Sequence, residues 1–259
     1  METSPAPWIE ALRHSHDRLR AVAGPLGSGQ LQRPSYAAKW SIAQVLSHLG
    51  SQAEVFSLLL DAGLSGQDPP GRDTFAPIWQ AWDAKSAQAQ AADALRADQA
   101  VTERFESLDA GQRERLRLAV FGMDLDTAGL ARMRLGEHAI HTWDIAVALD
   151  PAATVAPDAV ALLIDALGQL VARTAKPGGP ARRWHVSTTT PVRHFTLATG
   201  ETATLAAADG DESLPEVGMP AEAFVRLVYG RLDPAHAASV RLEAPNYTLD
   251  ELRALFPGV

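Results

Sequence analysis

The stretch Arg134-Leu-Gly-Glu-His-Ala-Ile-His-Thr-Trp-Asp-Ile145 is the most informative part of this sequence. If it is helical, Glu137 and His141 lie four residues apart and share one face. Upstream, the segment Trp40-Ser-Ile-Ala-Gln-Val-Leu-Ser-His48 belongs to a second amphipathic helix with a histidine of its own. One histidine from one helix and a Glu-x-x-x-His pair from another predict a three-ligand metal site inside a helical bundle.

The predicted metal ligands are therefore His48, Glu137 and His141. Three protein ligands leave one coordination position open for water or substrate, as a catalytic zinc site requires. His138 is the weaker candidate, because it is turned about 100° around the helix from Glu137. Asp144 lies one turn after His141, where it either orients that histidine or belongs to a polar face. The sequence leaves both roles of Asp144 open.

Composition narrows the class of protein. The chain has 259 residues, of which 46% are hydrophobic and 21% charged, as in globular proteins with a buried core. The net charge of −8 argues against nucleic acid as a partner, because phosphate binding needs a basic surface. The sequence contains no cysteine, which excludes disulfides, thiolate metal ligands and a cysteine nucleophile. Any thiol chemistry must therefore use a thiol supplied from outside.

The sequence shows no targeting or membrane signal. Its first twenty residues carry charge throughout and lack an apolar signal core. No stretch approaches the ~20 apolar residues of a membrane span. We therefore expect a cytoplasmic protein without a membrane partner, acting as a monomer or weak homo-oligomer.

Two domains are predicted from the periodicity. Residues 1–175 form a helical domain, residues 176–180 read KPGGP and form a linker, and residues 181–259 form a smaller α+β domain. Helices are predicted over 7–23, 41–62, 78–108, 127–149, 157–174, 220–229 and 248–256. Strands are predicted over 184–190, 194–199, 202–206 and 239–243. Residues 113–120 are either a short strand or a helical turn.

These motifs resemble a known family. The similar segments are the run from Trp40 to His48, the run WDAKSAQAQAADAL that starts at Trp82, and Arg132-x-Arg-x-Gly-Glu137-x-x-x-His141-x-x-Asp144. They resemble the DinB-like four-helix-bundle superfamily, and more specifically the mycothiol-dependent maleylpyruvate isomerase family. The resemblance covers most of residues 1–175 and extends to the C-terminal domain. It implies an α+β protein of two domains, an N-terminal DinB-like four-helix bundle and a smaller C-terminal α+β domain.

The resemblance also implies site residues and cofactors. It implies Zn²⁺ on His48, Glu137 and His141, with mycothiol as the co-substrate. It implies a catalytic and cofactor-binding arginine in the C-terminal domain, for which Arg231 is the best match, and we add Trp40 to the cofactor site. Arg231 could equally be a solvated cation at a helix end.

Two further groups of residues are ambiguous. Arg132 and Arg134 flank the metal motif, and only one of them can face inward with Glu137. Four tryptophans could line the site, although core packing explains most of them. They are Trp40, Trp79, Trp82 and Trp143.

The expected function is a thiol-dependent reaction of two small molecules. A thiolate activated by the metal would add to an electrophilic, carboxylated alkene of the maleylpyruvate type. If the adduct rotates before the thiol leaves, a cis double bond becomes trans; if the adduct is retained, the reaction is an S-transfer. An arginine fork would suit the carboxylate of such a substrate.

Two other classes remain open from the sequence. One is a metal-dependent hydrolase that uses zinc-bound water, which would act without mycothiol. The other is a non-catalytic binding protein whose C-terminal domain shelters an apolar ligand, with the metal structural or absent. A closed four-ligand metal site, completed for instance by His138 or Asp144, would favour this class.

Overall fold

The structure is a computed structural model that describes residues 4–37, 39–178, 180–208, 210–211, 213–237, 240–243 and 248–258. Its contacts divide the chain into two compact units, Met1–Thr154 and Val155–Val259. Each unit is described by itself below.

The first unit is mainly helical. Its helices are α1 (Ala6–Ala23), α2 (Ser28–Leu31), α3 (Ile42–Ser65), α4 (Arg72–Asp83), α5 (Ala87–Ser107), α6 (Ala110–Arg115) and α7 (Thr127–Leu149). A two-stranded antiparallel hairpin of β1 (Leu118–Val120) and β2 (Met123–Leu125) precedes α7. The segment 113–120, ambiguous in the sequence, is thus the end of a helix followed by a strand.

The four long helices form a bundle. Helix α1 packs on α5 and α7, and helix α3 packs on the same two helices, so α1 and α3 lie diagonally opposite. The apolar faces between them bury side chains such as Leu19, Leu46, Leu49 and Ile145 completely. Burial of these stripes drives the assembly of the bundle.

The helix predicted over 78–108 is two helices, α4 and α5. The chain leaves the helical conformation at Ser86, whose ψ is 156° and whose side chain accepts a hydrogen bond from the backbone N–H of Ala89 at 3.3 Å. Ser86 is therefore an N-cap, which starts a new helix. The alanine-rich sequence on both sides conceals this boundary, because alanine suits a helix interior everywhere.

The second unit is a five-stranded sheet with helices. Its helices are α8 (Pro157–Leu163), α9 (Leu167–Thr174), α10 (Ala221–Val228) and α11 (Leu249–Leu255), with 3₁₀ turns at Ile164–Ala166 and Pro234–His236. Its strands are β3 (Arg182–Thr189), β4 (Arg193–Thr199), β5 (Ala203–Ala207), β6 (Glu216–Pro220) and β7 (Arg241–Glu243). The strand order is β5-β4-β3-β6-β7, and only the β3–β6 pair among these is parallel.

One face of this sheet carries the core of the second unit. Alternate residues of β3, Trp184 and Val186, are buried together with Val217 of β6, and helix α10 packs on both strands with Phe224 buried. Strand β6 was not predicted, because Gly218 and Pro220 lower its strand propensity. Of the strand predicted over 239–243, Ser239 lies outside the described residues.

The boundary between the units differs from the prediction. The domain boundary expected at 175–181 lies instead after Thr154, so the segment predicted as one helix over 157–174 belongs to the second unit. The 3₁₀ turn also interrupts that helix. The segment belongs to the second unit because α9 packs on strand β5. At Gly168 of α9 the approach is so close that an added Cβ would lie 2.9 Å from the carbonyl oxygen of Leu205.

The structure contains no helix, among the residues it describes, with the length and apolar character needed to cross a membrane.

Candidate metal centre

Helix α3 supplies the first of the predicted ligands, His48. The helix starts at a capping box, in which Ser41 Oγ accepts from the Gln44 N–H at 3.3 Å and Gln44 Oε1 accepts from the Ser41 N–H at 2.8 Å. It ends at Gly66, whose φ of 68° is the left-handed conformation that glycine adopts readily. The side chain of His48 is 21% exposed, at the edge of the bundle core.

Helix α7 supplies the other two ligands, Glu137 and His141. It starts where Asp126 Oδ1 accepts a hydrogen bond from the Gly129 N–H at 2.7 Å. The side chain of Glu137 is 35% exposed, whereas that of His141 is 9% exposed. The i, i+4 spacing thus gives one inner and one outer ligand on the same helix face.

The structure brings these three side chains together. Their candidate ligand atoms all lie within 4.8 Å of one another. His48 Nε2 is 3.4 Å from Glu137 Oε2, and His141 Nε2 is 3.7 Å from the same oxygen. The ring centroids of His48 and His141 are 4.6 Å apart in an edge-on arrangement.

Asp144 orients the inner histidine. Its carboxylate, with the residue fully buried, lies 2.9 Å from His141 Nδ1. A carboxylate accepts, so Nδ1 carries a proton, and Nε2 is the ring nitrogen that faces Glu137 and His48. Of the two roles that the sequence left open for Asp144, the structure supports the positioning role.

The charge state of His48 suits metal binding. Burial lowers the pKa of His48 and outweighs its hydrogen bond to Glu137, which acts in the opposite direction; the nearby His141 also lowers it. His48 is therefore a neutral imidazole at neutral pH, and a neutral imidazole is the form that binds metal ions.

The donor set fits a divalent cation. Two ligands about 2.1 Å from a tetrahedral zinc ion lie about 3.4 Å apart, close to the two N–O distances in this cluster. Two imidazole nitrogens and one carboxylate form a donor set that Zn²⁺ accepts.

His138 does not belong to the cluster. Its Nε2 lies 2.8 Å from Asp98 Oδ2, and its Nδ1 lies 2.7 Å from Ser15 Oγ. Both partners are buried, so this histidine is held inside the bundle. The sequence argument that ranked His138 below the other two was correct in its geometry.

Asp98 is the centre of a buried polar network that the sequence analysis missed. Its carboxylate accepts from Arg134 Nη2 at 2.7 Å and lies 2.8 Å from His16 Nδ1 as well as from His138. Burial alone would raise the pKa of Asp98, but His138, His16 and Arg134 together hold that pKa well below its usual value. The network joins helices α1, α5 and α7.

Arg134 is the inward-facing arginine of the pair flanking the motif. It is 1% exposed, and besides Asp98 it donates to the backbone oxygen of Leu49 at 3.2 Å, next to His48 in the chain. Within the described residues, its Nε and Nη1 have no hydrogen-bond partner, and its guanidinium carbon lies 5.6 Å from the centre of the Phe56 ring. Arg132 is only half-buried.

A cavity of about 490 Å³ opens beside His48. Two of its lining residues are tryptophans, Trp40 and Trp79. The others, apart from His48 itself, are polar: Gln44, Ser51, Gln52, Asp83 and Gln90. All of them belong to the first unit.

The four tryptophans divide into two groups. Trp40 is 36% exposed, and its ring centroid lies 5.2 Å from that of His48, which places it beside the cluster as expected. Trp79 lines the cavity. Trp82 and Trp143 are each 2% exposed, and their indole N–H groups donate to Glu54 Oε1 and the Ala153 oxygen, so these two are core residues.

Arg231 lies in the second unit. It is 7% exposed and donates from Nη1 to the backbone oxygen of Tyr229 at 2.6 Å, while its own backbone oxygen accepts from Arg226. It is therefore a buried arginine and not the solvated helix-end cation of the alternative interpretation. Its catalytic role remains a prediction.

Two signals in the sequence could have revealed the missed residues. Asp98 interrupts the apolar stripe of α5 formed by Ala91, Ala94 and Val101, and an acid in such a stripe needs buried partners. The cavity residues of α3 lie four before, three after and four after His48, on its own helix face. Those residues are Gln44, Ser51 and Gln52.

Comparison with known proteins gives two similarities. A sequence model of the mycothiol maleylpyruvate isomerase N-terminal domain matches residues 12–146. The fold is similar to the crystal structure of the mycothiol-dependent maleylpyruvate isomerase, with a TM-score of 0.70, 11% identity and 95% of each chain covered. The same values hold for a mutant of that isomerase with one histidine replaced by alanine. No curated protein matches the chain. The structural likeness confirms the predicted fold class.

Proposed function

Because this chain belongs to the mycothiol maleylpyruvate isomerase N-terminal domain family, we propose that it is a metal-dependent enzyme that uses mycothiol. The proposed reaction is an isomerisation or an S-transfer on an electrophilic, carboxylated small molecule. The matched segment, residues 12–146, includes all three predicted metal ligands.

The cluster of His48, Glu137 and His141 is the observation that carries this proposal. His138 and Asp144 are engaged with other partners, Asp98 and His141, so neither serves as a fourth ligand. A site with three protein ligands fits catalysis better than a closed structural site. This argues against the non-catalytic alternative.

Each residue of the cluster has a distinct task. His48 and His141 would hold the cation as neutral imidazoles, and Glu137 would offset part of its charge. A divalent cation such as Zn²⁺ supplies, when bound, positive charge that favours the thiolate form of a nearby thiol. Asp144 keeps the Nε2 lone pair of His141 directed at the site.

The thiol must come from a co-substrate, because the chain contains no cysteine. In the proposed isomerisation the thiolate sulfur forms a C–S bond to one alkene carbon, and the π electrons move to the conjugated carbonyl. Rotation about the resulting C–C single bond, followed by cleavage of the C–S bond, gives the trans alkene and returns the thiolate. In an S-transfer the adduct takes up a proton and leaves with the thiol attached.

We propose Arg231 as the anchor for the substrate carboxylate. The proposal rests on its match to the catalytic arginine implied by the family resemblance. The planar fork of an arginine guanidinium suits a carboxylate.

Replacement of one ligand tests the metal site. His48→Ala should lose stoichiometric zinc, measured by elemental analysis of tag-free protein, while far-ultraviolet circular dichroism shows an unchanged helix content. His14→Ala, at an exposed position of α1, is the matched control and should retain the metal. An unchanged zinc content in His48→Ala would remove the proposed site.

The requirement for mycothiol is tested on the same samples. Addition of mycothiol to cobalt-substituted wild-type protein should produce a new near-ultraviolet absorption band, and turnover of maleylpyruvate-type substrates should require the thiol. Hydrolysis of esters or amides without any thiol would instead identify the chain as a metal-dependent hydrolase.

A further inference from the structure

The sheet of the second unit has a notch at Gly218, on the face turned away from helix α10. Val217 of β6 is buried on the helix side, so its neighbours Glu216 and Gly218 lie on the other face. In the register of the sheet, Gly218 lies between Ser187 of β3 and Arg241 of β7. Because Gly218 has no side chain, the three strands leave a cavity of about 490 Å³ there, which we call the Gly218 notch. Its lining includes Ser187, Glu216, Arg241 and Glu243.

One end of the notch carries two carboxylates side by side. Glu216 and Glu243 are directly opposite each other on the antiparallel strands β6 and β7. Like charges in that position destabilise a sheet. Ser187 donates a hydrogen bond to Glu216 Oε1 at 2.7 Å, but neither carboxylate forms an ion pair with any residue that the structure describes. A cationic group of a ligand would supply the missing counter-charge.

The two sides of the notch offer a cation and an acceptor. The side chain of Arg241 is exposed and has no hydrogen-bond or ion-pair partner within the described part of the chain. Its planar fork suits a carboxylate. Across Gly218, Ser187 Oγ gives its proton to Glu216 and keeps lone pairs that can accept from an ammonium group.

The charges of the notch select a ligand by their number and spacing. Two carboxylates and one guanidinium have one negative charge in excess, so a complementary ligand has two cationic groups and one carboxylate. Neighbouring residues on one face of a strand are about 7 Å apart, which separates the glutamate pair from Arg241. The four-carbon stem of lysine separates its side-chain ammonium from its carboxylate by a similar distance.

We propose that the Gly218 notch binds a basic amino acid such as L-lysine. The ligand carboxylate pairs with Arg241, and the α-ammonium group donates to Ser187 Oγ. The side-chain ammonium lies between Glu216 and Glu243 and offsets their repulsion. The cavity volume is in the range of small-molecule sites. The site goes beyond the proposed function, because its ligand is neither the thiol nor the electrophile.

The test is isothermal titration calorimetry of the full chain with L-lysine as the probe. The wild type should show saturable binding. Two matched ligands each lack one charged group, since L-norleucine has no side-chain ammonium and cadaverine has no carboxylate. Each should bind about fivefold more weakly than L-lysine, the effect of one lost ion pair between partly exposed groups.

Gly218→Val should abolish the binding of L-lysine by filling the notch. An added Cβ would lie 3.3 Å from Ser187 Oγ and 4.0 Å from the Cβ of Arg241, so a larger side chain occupies the space between them. Gly218 is not in the left-handed conformation, so its backbone suits valine. Gly200→Val, at an exposed position between β4 and β5, is the matched control and should bind L-lysine within about twofold of the wild type.

Two charge variants test the site without filling it. Glu243→Gln and Arg241→Met, both at exposed positions, should each weaken the binding of L-lysine by about fivefold. Glu201→Gln, at an exposed position between β4 and β5, is their control and should bind as the wild type does. These variants decide the question if Gly218→Val does not fold.

The proposal is overturned if the wild type shows no saturable binding of L-lysine, or binds L-norleucine and cadaverine equally well. Equal binding by the two charge variants and the Glu201→Gln control would also overturn it. None of these titrations needs a metal ion or a thiol, so their result is independent of the proposed function.

Discussion

Neighbouring residues of α7 have different roles because the helix directs them to different partners. Glu137 faces His48, whereas His138, the next residue, faces Asp98 and Ser15 inside the bundle. His141 returns to the face of Glu137, and its second ring nitrogen is fixed by Asp144. At the scale of single residues, the hydrogen-bond partners Asp98, Ser15 and Asp144 therefore shape the site as much as the candidate ligands do.

Asp144→Asn should weaken metal binding. The neutral amide oxygen accepts a weaker hydrogen bond from the Nδ1–H group than a carboxylate does, so His141 becomes less basic and less well oriented. We expect the affinity for zinc to fall by about 10- to 100-fold, measured by competition with a chromogenic chelator. Asp124→Asn, at an exposed position of β2, is the control and should leave the affinity unchanged. Equal affinities of the two variants would contradict the positioning role of Asp144.

Helix α3 serves the site and the core with different faces. One face presents His48 together with the cavity residues Ser51 and Gln52. Another face includes Gly50, where the six-membered ring of Trp82 lies against the backbone. Trp82 is buried and is held by its hydrogen bond to Glu54. The close approach at Gly50 therefore fixes how α3 packs on the segment that contributes Trp79 and Asp83 to the cavity.

Gly50→Ala should destabilise the protein although alanine is the better helix former. A Cβ at this position would overlap the ring of Trp82, which is buried and has little freedom to move. Such overpacking costs about 1–3 kcal/mol, more than the ~1 kcal/mol gained in helix propensity. Urea unfolding followed by circular dichroism measures the change.

Gly29→Ala is the matched control for that substitution. Gly29 is also in a helix, α2, but a Cβ there would meet nothing within 4 Å. We expect this variant to be as stable as the wild type or slightly more stable. A Gly50→Ala protein as stable as Gly29→Ala would show that Trp82 can shift without cost.

At the scale of the whole molecule, the first unit depends on charges buried in its core. Asp98 connects three helices of the bundle through His16, His138 and Arg134. A buried carboxylate contributes stability only while these partners remain in place. The bundle is therefore expected to respond to acid through its core as well as its surface.

Acid should destabilise the wild-type protein through Asp98. The folded-state pKa of Asp98 is well below its usual value, so the unfolded chain takes up this proton first as the pH falls. The contribution of ionised Asp98 to the free energy of unfolding is fully present above about pH 5. It falls by at most about 1.4 kcal/mol per pH unit as the pH approaches the folded-state pKa of Asp98. Urea unfolding from pH 7 to pH 3 measures this slope.

Two variants test whether Asp98 causes this pH dependence of the free energy of unfolding. Asp98→Asn should be less stable at pH 7 by about 3–5 kcal/mol and should show a shallower dependence on pH. Asp68→Asn, an exposed loop variant, should keep the wild-type slope. If Asp98→Asn does not fold, a flat wild-type profile between pH 5 and pH 3 would still refute the role of Asp98.

The sequence predicted local features well and tertiary features poorly. The helices predicted to start at residues 41 and 127 start within one residue of those positions, because helix capping depends on nearby residues. The i, i+4 pair Glu137 and His141 followed from helix geometry alone. The break at Ser86 and the membership of residues 157–174 in the second unit depend on packing against distant segments, which no local pattern records. The partners of Asp98 are likewise far apart in the sequence.

The parallel pairing of β3 with β6 has a consequence for how the second unit assembles. Strands β3, β4 and β5 are consecutive in the chain and pair with their sequence neighbours, so that half of the sheet can form through short loop closures. Strand β6 follows β5 in the sequence but does not pair with it. The chain instead passes β5 and β4 and places β6 beside β3, with Val217 opposite Val186. Strands β6 and β7 are thus joined to the sheet through a non-local contact, and we expect this closure to be the slow step in the folding of the unit.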